Sequence, residues 1–171
     1  MSVTVELLAL GPAEWQALGA DPAGFAASRG LAVGEHADIL RELGPGTAAF
    51  LERVGGGLRW GSYLATDPDR RMVIGVCAYK SPPDADGAVE IAYYTFPSHE
   101  GRGYATAMAA RLTDIAGAAP PARTVRAHTL PGRNASARIM EKLGFAHLGE
   151  VVDPEDGPVW RWERRPGSTP S

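Results

Sequence analysis

Gly101 and Gly103 stand either side of Arg102, just ahead of a run in which Tyr104, Met108, Leu112 and Ile115 recur at helical spacing. Glycine has no Cβ and tolerates positive φ, so backbone at these positions can approach a ligand closely. The N–H groups of the following first helical turn have no intrahelical partner and carry the positive end of the helix dipole. Such an end receives an anion, most often a phosphate. The competing reading is a tight turn whose glycines only permit close packing. Two nucleotide-binding patterns are excluded by residue type. A Walker A loop requires a lysine and then a hydroxyl after its last glycine, and neither stands in place here. A dinucleotide fingerprint requires a third glycine where Thr106 stands, and no suitable acid follows about 20 residues on.

Other chemistry-bearing residues are sparse. Cys77 is the single cysteine, which excludes an internal disulfide and a thiol cluster for zinc. His36, His99, His128 and His147 show no H-x-x-H pairing, so no local metal site is expected. A net charge of -3 gives no global attraction to nucleic acid or to an anionic membrane. The N-terminal MSVTVELLAL has no basic leader and falls short of the ~18 apolar residues of a membrane span, which leads to a cytoplasmic expectation.

The elements that must position these residues follow from periodicity and turn chemistry. Val3, Val5 and Leu7 alternate as a first strand ended by Gly11-Pro12, where Pro12 suits a helix start. Residues 14–18, 35–43 and 47–54 read as short helices separated by glycine and proline. Residues 60–66, 72–80 and 88–96 read as an antiparallel meander, its first turn at Asp67-Pro68-Asp69. A helix from Tyr104 to Pro120, a strand over 124–130 and a helix over 135–143 follow, the last with Asn134 as N-cap and Gly144 beyond its end. Strands over 147–152 and 159–164 complete a single α+β domain, residues 1–165, with a mostly antiparallel sheet flanked by helices. A disordered tail is expected over 166–171.

The run Gly101-Arg102-Gly103-Tyr104-Ala105-Thr106 resembles the acetyl-CoA pyrophosphate loop of the GNAT superfamily of N-acetyltransferases, with the pattern Q/R-x-x-G-x-G/A. Gly103 and Ala105 match, while Glu100 stands where Gln or Arg is usual. Val89 to Pro97 is similar to the family's fourth strand, and Asn134 to Phe145 to its second conserved segment. Together they most resemble the branch that includes ribosomal-protein N-terminal acetyltransferases. The resemblance spans the C-terminal two-thirds of the chain; in the N-terminal helices, the region that selects the acceptor in this family, it is one of type only.

The resemblance implies transfer of an acetyl group from acetyl-CoA to a primary amine, on a small molecule or a protein N-terminus, by direct attack in a ternary complex. It implies that the 101–106 amides hold pyrophosphate, with Arg102 adding charge. It also implies that the Tyr94, Thr95 and Phe96 segment offers backbone to the pantetheine arm as a strand would. For the base, Glu90 ranks ahead of His99 and His128: strand alternation puts it on one face with Ala92 and Tyr94, opposite Val89, Ile91 and Tyr93. Its alternative role is an exposed or salt-bridged glutamate.

Many members of the superfamily protonate the departing thiolate with a tyrosine where Met140 stands here; Ser136, in the first turn of that helix, is the substitute donor. Asn134 either binds pantetheine or caps the helix. Glu35, Asp38, Glu42, Asp153, Glu155 and Asp156 either attract a cationic amine or form a solvated face, and Trp60, Tyr63, Tyr93 and Tyr94 line a cleft or belong to the core. No metal is expected, and the molecule is expected to be a monomer or homodimer. Glu100 and Met140 favour the alternative, a non-catalytic acyl-CoA-binding or regulatory protein of the same fold.

Overall fold

The computed structural model describes residues 3–167. Seven strands form one sheet in the order β1-β2-β3-β4-β5-β7-β6. They are β1 (Glu6–Leu10), β2 (Ser62–Asp67), β3 (Met72–Tyr79), β4 (Ala88–Thr95), β5 (Thr124–Thr129), β6 (Ala146–Asp153) and β7 (Gly157–Arg164). Every pairing is antiparallel except that of β4 with β5, which a helical crossover joins in parallel. The expected meander is thus β2-β3-β4. Its first turn is held by the Asp67 carboxylate, which accepts from the Asp69 and Arg70 amides at 2.9 and 3.1 Å.

Helices cover both faces. On one, α4 (Tyr104–Gly117) and α5 (Ala135–Lys142) pack Met108, Leu112 and Met140 against Val89, Ile91, Val125 and Ala127. The turn after α5 carries the paired bonds of a Schellman motif, Gly144 N–H to the Glu141 carbonyl and Phe145 N–H to that of Met140. On the other face, α1 (Pro12–Ala20), α2 (Pro22–Ala27) and α3 (Ala37–Val54) pack Trp15, Leu18, Leu40 and Leu51 against Leu64, Val73 and Phe96.

The N-terminal helices depart from expectation. The segments 35–43 and 47–54 are one helix, α3, which runs through Gly44-Pro45-Gly46 after a 3₁₀ turn at Gly34–His36. Proline removes one ladder bond and commonly ends a helix, yet here tertiary packing carries the helix across. α3 lies so close to α1 that a Cβ at Gly44 would stand 2.6 Å from the Gly19 Cα and 2.7 Å from the Trp15 carbonyl oxygen. α2 was not expected; Asp21 caps it by accepting from the Gly24 amide, and Pro22 opens its first turn. At the other end of the chain, a Cβ at Gly117 would stand 2.9 Å from the Pro166 Cβ, so the expected tail begins against α4, and its remainder, 168–171, lies outside the described residues.

Candidate active site

β4 and β5 stay paired from Ala88 and Thr124 to Ile91 and Ala127, and then separate. β4 continues to Thr95, still bonded on its other edge to β3, with Thr95 opposite Gly75. One edge of residues 92–95 therefore faces a gap instead of a strand. The gap is a cavity of about 630 Å³. Tyr93, Tyr94 and Thr95 form one wall, the loop from His99 to Thr106 a second, and the first two turns of α5 a third.

The loop meets the sequence expectation locally. Gly101 and Gly103 have φ of 73° and 91°, the left-handed region that glycine alone enters without strain. The first backbone bond of α4 runs from the Ala107 N–H to the Gly103 carbonyl at 3.1 Å, so the Tyr104, Ala105 and Thr106 amides precede the ladder. Tyr104 is held by its side chain: the buried hydroxyl donates to Asp67 Oδ2 at 2.5 Å, tying the start of α4 to the β2–β3 turn. Burial pushes the Asp67 carboxyl up, but the Tyr104 hydroxyl and the Arg70 and Asp69 amides outweigh it and hold the group below its usual range.

Not every residue of the expected set reaches the cavity. Gly101, Gly103, Tyr104, Ala105, Thr106, Tyr94, Thr95 and Ser136 line it. Phe96 does not. Its side chain is fully buried against the N-terminal helices, its N–H donates to the Ile74 carbonyl, and its own carbonyl accepts from His99. Arg102 lines an adjoining cavity of about 450 Å³, with Arg111, Lys142 and Val3. Asn134 is the cap: its Oδ1 accepts from the Ala137 amide at 2.9 Å and its Nδ2 donates to the Leu130 carbonyl at 2.8 Å.

Two lining residues carry buried polar atoms without a hydrogen-bond partner, Thr95 Oγ1 and His99 Nδ1. Buried polar groups are normally satisfied, so both atoms are free to bond a polar group entering the gap. His99 is thus no solvated loop histidine; burial, with His36, Arg70 and Arg102 nearby, holds its imidazole below the usual range. Sequence reasoning missed the cationic stripe of Arg138 and Lys142, set i, i+4 on α5, where both line the cavity. It also left Tyr93 between cleft and core. Its phenol, pushed up by burial against an opposing bond from Ser136, stands behind that hydroxyl. Met140 is fully buried, and Trp60 and Tyr63 stack edge-on against Tyr79 away from the cavity.

Glu90 faces the opposite side of the sheet from α4 and α5. Its Oε1 lies 3.1 Å from Lys80 Nζ and 3.1 Å from His128 Nδ1, and Asp153 Oδ2 lies 3.6 Å from that nitrogen. His128 Nε2 accepts from Arg161 Nε at 3.4 Å, while the contact of Nδ1 with Glu90 is not aligned as a hydrogen bond. Glu90, His128 and Asp153 each bring a donor atom within 4.8 Å of the others, a set able to hold a cation. The Lys80 ammonium already stands against the same Glu90 oxygen. Of the other acids, Asp38 pairs with Arg41 on the surface, and Glu155 and Asp156 stay in the exposed β6–β7 turn.

A family model described as an acetyltransferase (GNAT) domain matches residues 27–146. No curated protein sequence matches the chain significantly. Among solved structures, a spermidine/spermine N-acetyltransferase from Vibrio cholerae is similar at a TM-score of 0.64 and 14% identity, covering 95% of this chain and 94% of that one. A ribosomal-protein-S5-alanine acetyltransferase from Vibrio fischeri gives a TM-score of 0.64 at 13% identity, covering 96% and 93%. At such identities the likeness is one of fold. No helix among the described residues is long and apolar enough to cross a membrane.

Proposed function

Because the chain belongs to the GNAT acetyltransferase family, whose members use acetyl-CoA as cosubstrate, we propose that it transfers an acetyl group from acetyl-CoA to a primary amine by direct attack in a ternary complex. The observation that carries this reading is the parting of β4 from β5 after Ile91, which opens the cavity between the glycine loop and α5. The pyrophosphate lies on the 103–106 amides at the start of α4. The pantetheine arm runs along residues 93–95 as an added strand, where Thr95 and His99 find partners. Arg102, Arg111 and Lys142, gathered in the adjoining cavity, draw the remaining phosphate charge.

The amine nitrogen attacks the thioester carbonyl from the far side of β4, and the carbon–sulfur bond breaks. Of the two protons an ammonium loses, one leaves through Glu90 and the other ends on the coenzyme sulfur. Glu90 stands about 7 Å along the strand from Ala92 on the same face and about 13 Å from Tyr94, so its proton travels through water. Ser136, on the cavity wall with Tyr93 behind it, protonates the thiolate. A thiol-release assay over a panel of amines, run beside equilibrium binding of acetyl-CoA, tests the proposal. Turnover with any primary amine supports it. Tight binding with no turnover leaves the non-catalytic acyl-CoA-binding alternative, and absence of binding removes both.

A further inference from the structure

Ser62, Ala78 and Ala92 stand side by side across β2, β3 and β4, paired Ser62 with Ala78 and Ala78 with Ala92. They lie on the sheet face that α3 covers, where Leu43 and Thr47 face them across a cavity of about 170 Å³. A second cavity of about 280 Å³ shares Leu43, Thr47, Ser62 and Ala78 with the first and leads out past Glu42 and Lys80. At its inner end the first cavity reaches Tyr93 and Tyr94, which also line the coenzyme gap. The two spaces form one groove that meets the proposed thioester position from the opposite face of β4.

The inner cavity has no charged side chain in its lining. It does have an unmet polar group. Trp15 lines the cavity and is 1% exposed, and its Nε1–H has no hydrogen-bond partner. A buried donor left unpaired costs free energy that a ligand acceptor recovers. An unpaired ammonium carried into the same space meets no carboxylate, and its desolvation goes uncompensated. The inner volume equals that of about six water molecules.

Building on the acetyltransferase reading, we infer that this groove is the acceptor site and that it takes a compact apolar monoamine carrying one hydrogen-bond-accepting oxygen, in preference to a polyamine. The amine points to the junction at Tyr94, the apolar body rests on Ala78 and Ala92 under Leu43, and the oxygen accepts from Trp15 Nε1.

The test compares L-valinamide, its hydrocarbon isostere in which an isopropyl group replaces the carboxamide, and spermidine. Each is measured by binding to the coenzyme-saturated protein and by kcat/KM with acetyl-CoA, referred to free base. Valinamide is expected to exceed the isostere by about 3- to 10-fold, the worth of one neutral hydrogen bond, and both to exceed spermidine. In Trp15→Phe the valinamide-to-isostere ratio falls toward one. Ala92→Leu, which fills the floor of the cavity, removes amine binding while coenzyme affinity stays. A ratio of one in the wild type, a preference for spermidine, or undiminished amine binding in folded Ala92→Leu overturns the assignment. Amines that bind in the expected order without any thiol release uphold the site and remove the acetyl-transfer reading; turnover without that order does the reverse.

Discussion

The two faces of the sheet offer different means of recognition. On the α4–α5 face the cavity presents backbone, the amides at the start of α4 and the open edge of residues 92–95, beside side chains such as Ser136, Arg138 and Lys142. On the α1–α3 face the groove is bounded by side chains from α1, α3 and the three strands of the meander. Backbone recognition asks of the sequence only that glycines permit the turn and that a helix begin at the right place. Side-chain recognition asks for small residues in register on three strands and a helix packed at a set distance above them, none of which is local in the chain.

If the carboxylate on the groove side takes the amine's proton, Glu90→Gln sets the two faces apart most strongly. The kcat near neutral pH is expected to fall by about 10²-fold or more, with acetyl-CoA binding retained. Alkaline buffer should restore part of the rate, and the loss should be greater for an alkyl amine with pKa about 10.4 than for an α-amine near 7.7. A folded variant with the wild-type pH–rate profile would remove Glu90 from the mechanism and turn attention to His128, its neighbour at 3.1 Å.

Ser136→Ala probes the coenzyme side of the same reaction. A loss of about 10²-fold in kcat, the scale of a single acid–base group, is expected with acetyl-CoA still bound. A near-normal rate would return Ser136 to the role of a first-turn residue.

Tyr104→Phe tests how the loop is tied to the meander. Losing a hydrogen bond to a buried carboxylate should cost about 1.5 to 3 kcal/mol at pH 7, read by denaturant unfolding. Asp67 is held below its ordinary range, so its contribution is fully present above the unfolded carboxyl pKa and is lost as pH falls through the folded one. The gap between wild type and variant should therefore narrow in acid below about pH 4. A gap that stays constant down to acid unfolding would show that Asp67 is not the partner that matters.

Gly44→Ala addresses the other face. Its Cβ would meet α1 backbone at 2.6 Å, so a loss of about 1 to 3 kcal/mol of stability is expected from overpacking. Amine KM should rise while acetyl-CoA affinity is unaltered, and equal changes in the two constants would deny the faces their independence. The smallest effect is expected for Gly103→Val. Residue 103 must adopt φ of 91°, which costs a side chain about 1 to 2 kcal/mol; a variant loop that relaxes out of this conformation must regain it on binding, equivalent to roughly tenfold in acetyl-CoA affinity, with circular dichroism unchanged. Unaltered affinity would detach the loop from the phosphates.

Much of the fold can be read directly in the chain. The meander, the loop and helix at 101–117, the Asn134 cap and the Gly144 stop are each specified within a few residues, because alternation, capping and positive φ are local properties. The same locality explains the overreach at Phe96: its place at the end of the strand was visible, but that its backbone would be bonded to Ile74 and its ring buried under α1–α3 was not. The N-terminal helices failed at Gly44-Pro45-Gly46, where local propensity favours a break and the approach of α1 decides otherwise. Glu90 could be placed on its face by parity, whereas Lys80, His128 and Asp153 come to it from three other segments. Sequence alone determined where an anion could be received, since one turn of backbone suffices for that. Which residues share the candidate site was decided by the tertiary structure, because the point where β4 leaves β5 and the side chains gathered on either side of it depend on contacts between segments far apart in the chain, 36 residues between Ala88 and Thr124 and 79 between Trp15 and Tyr94.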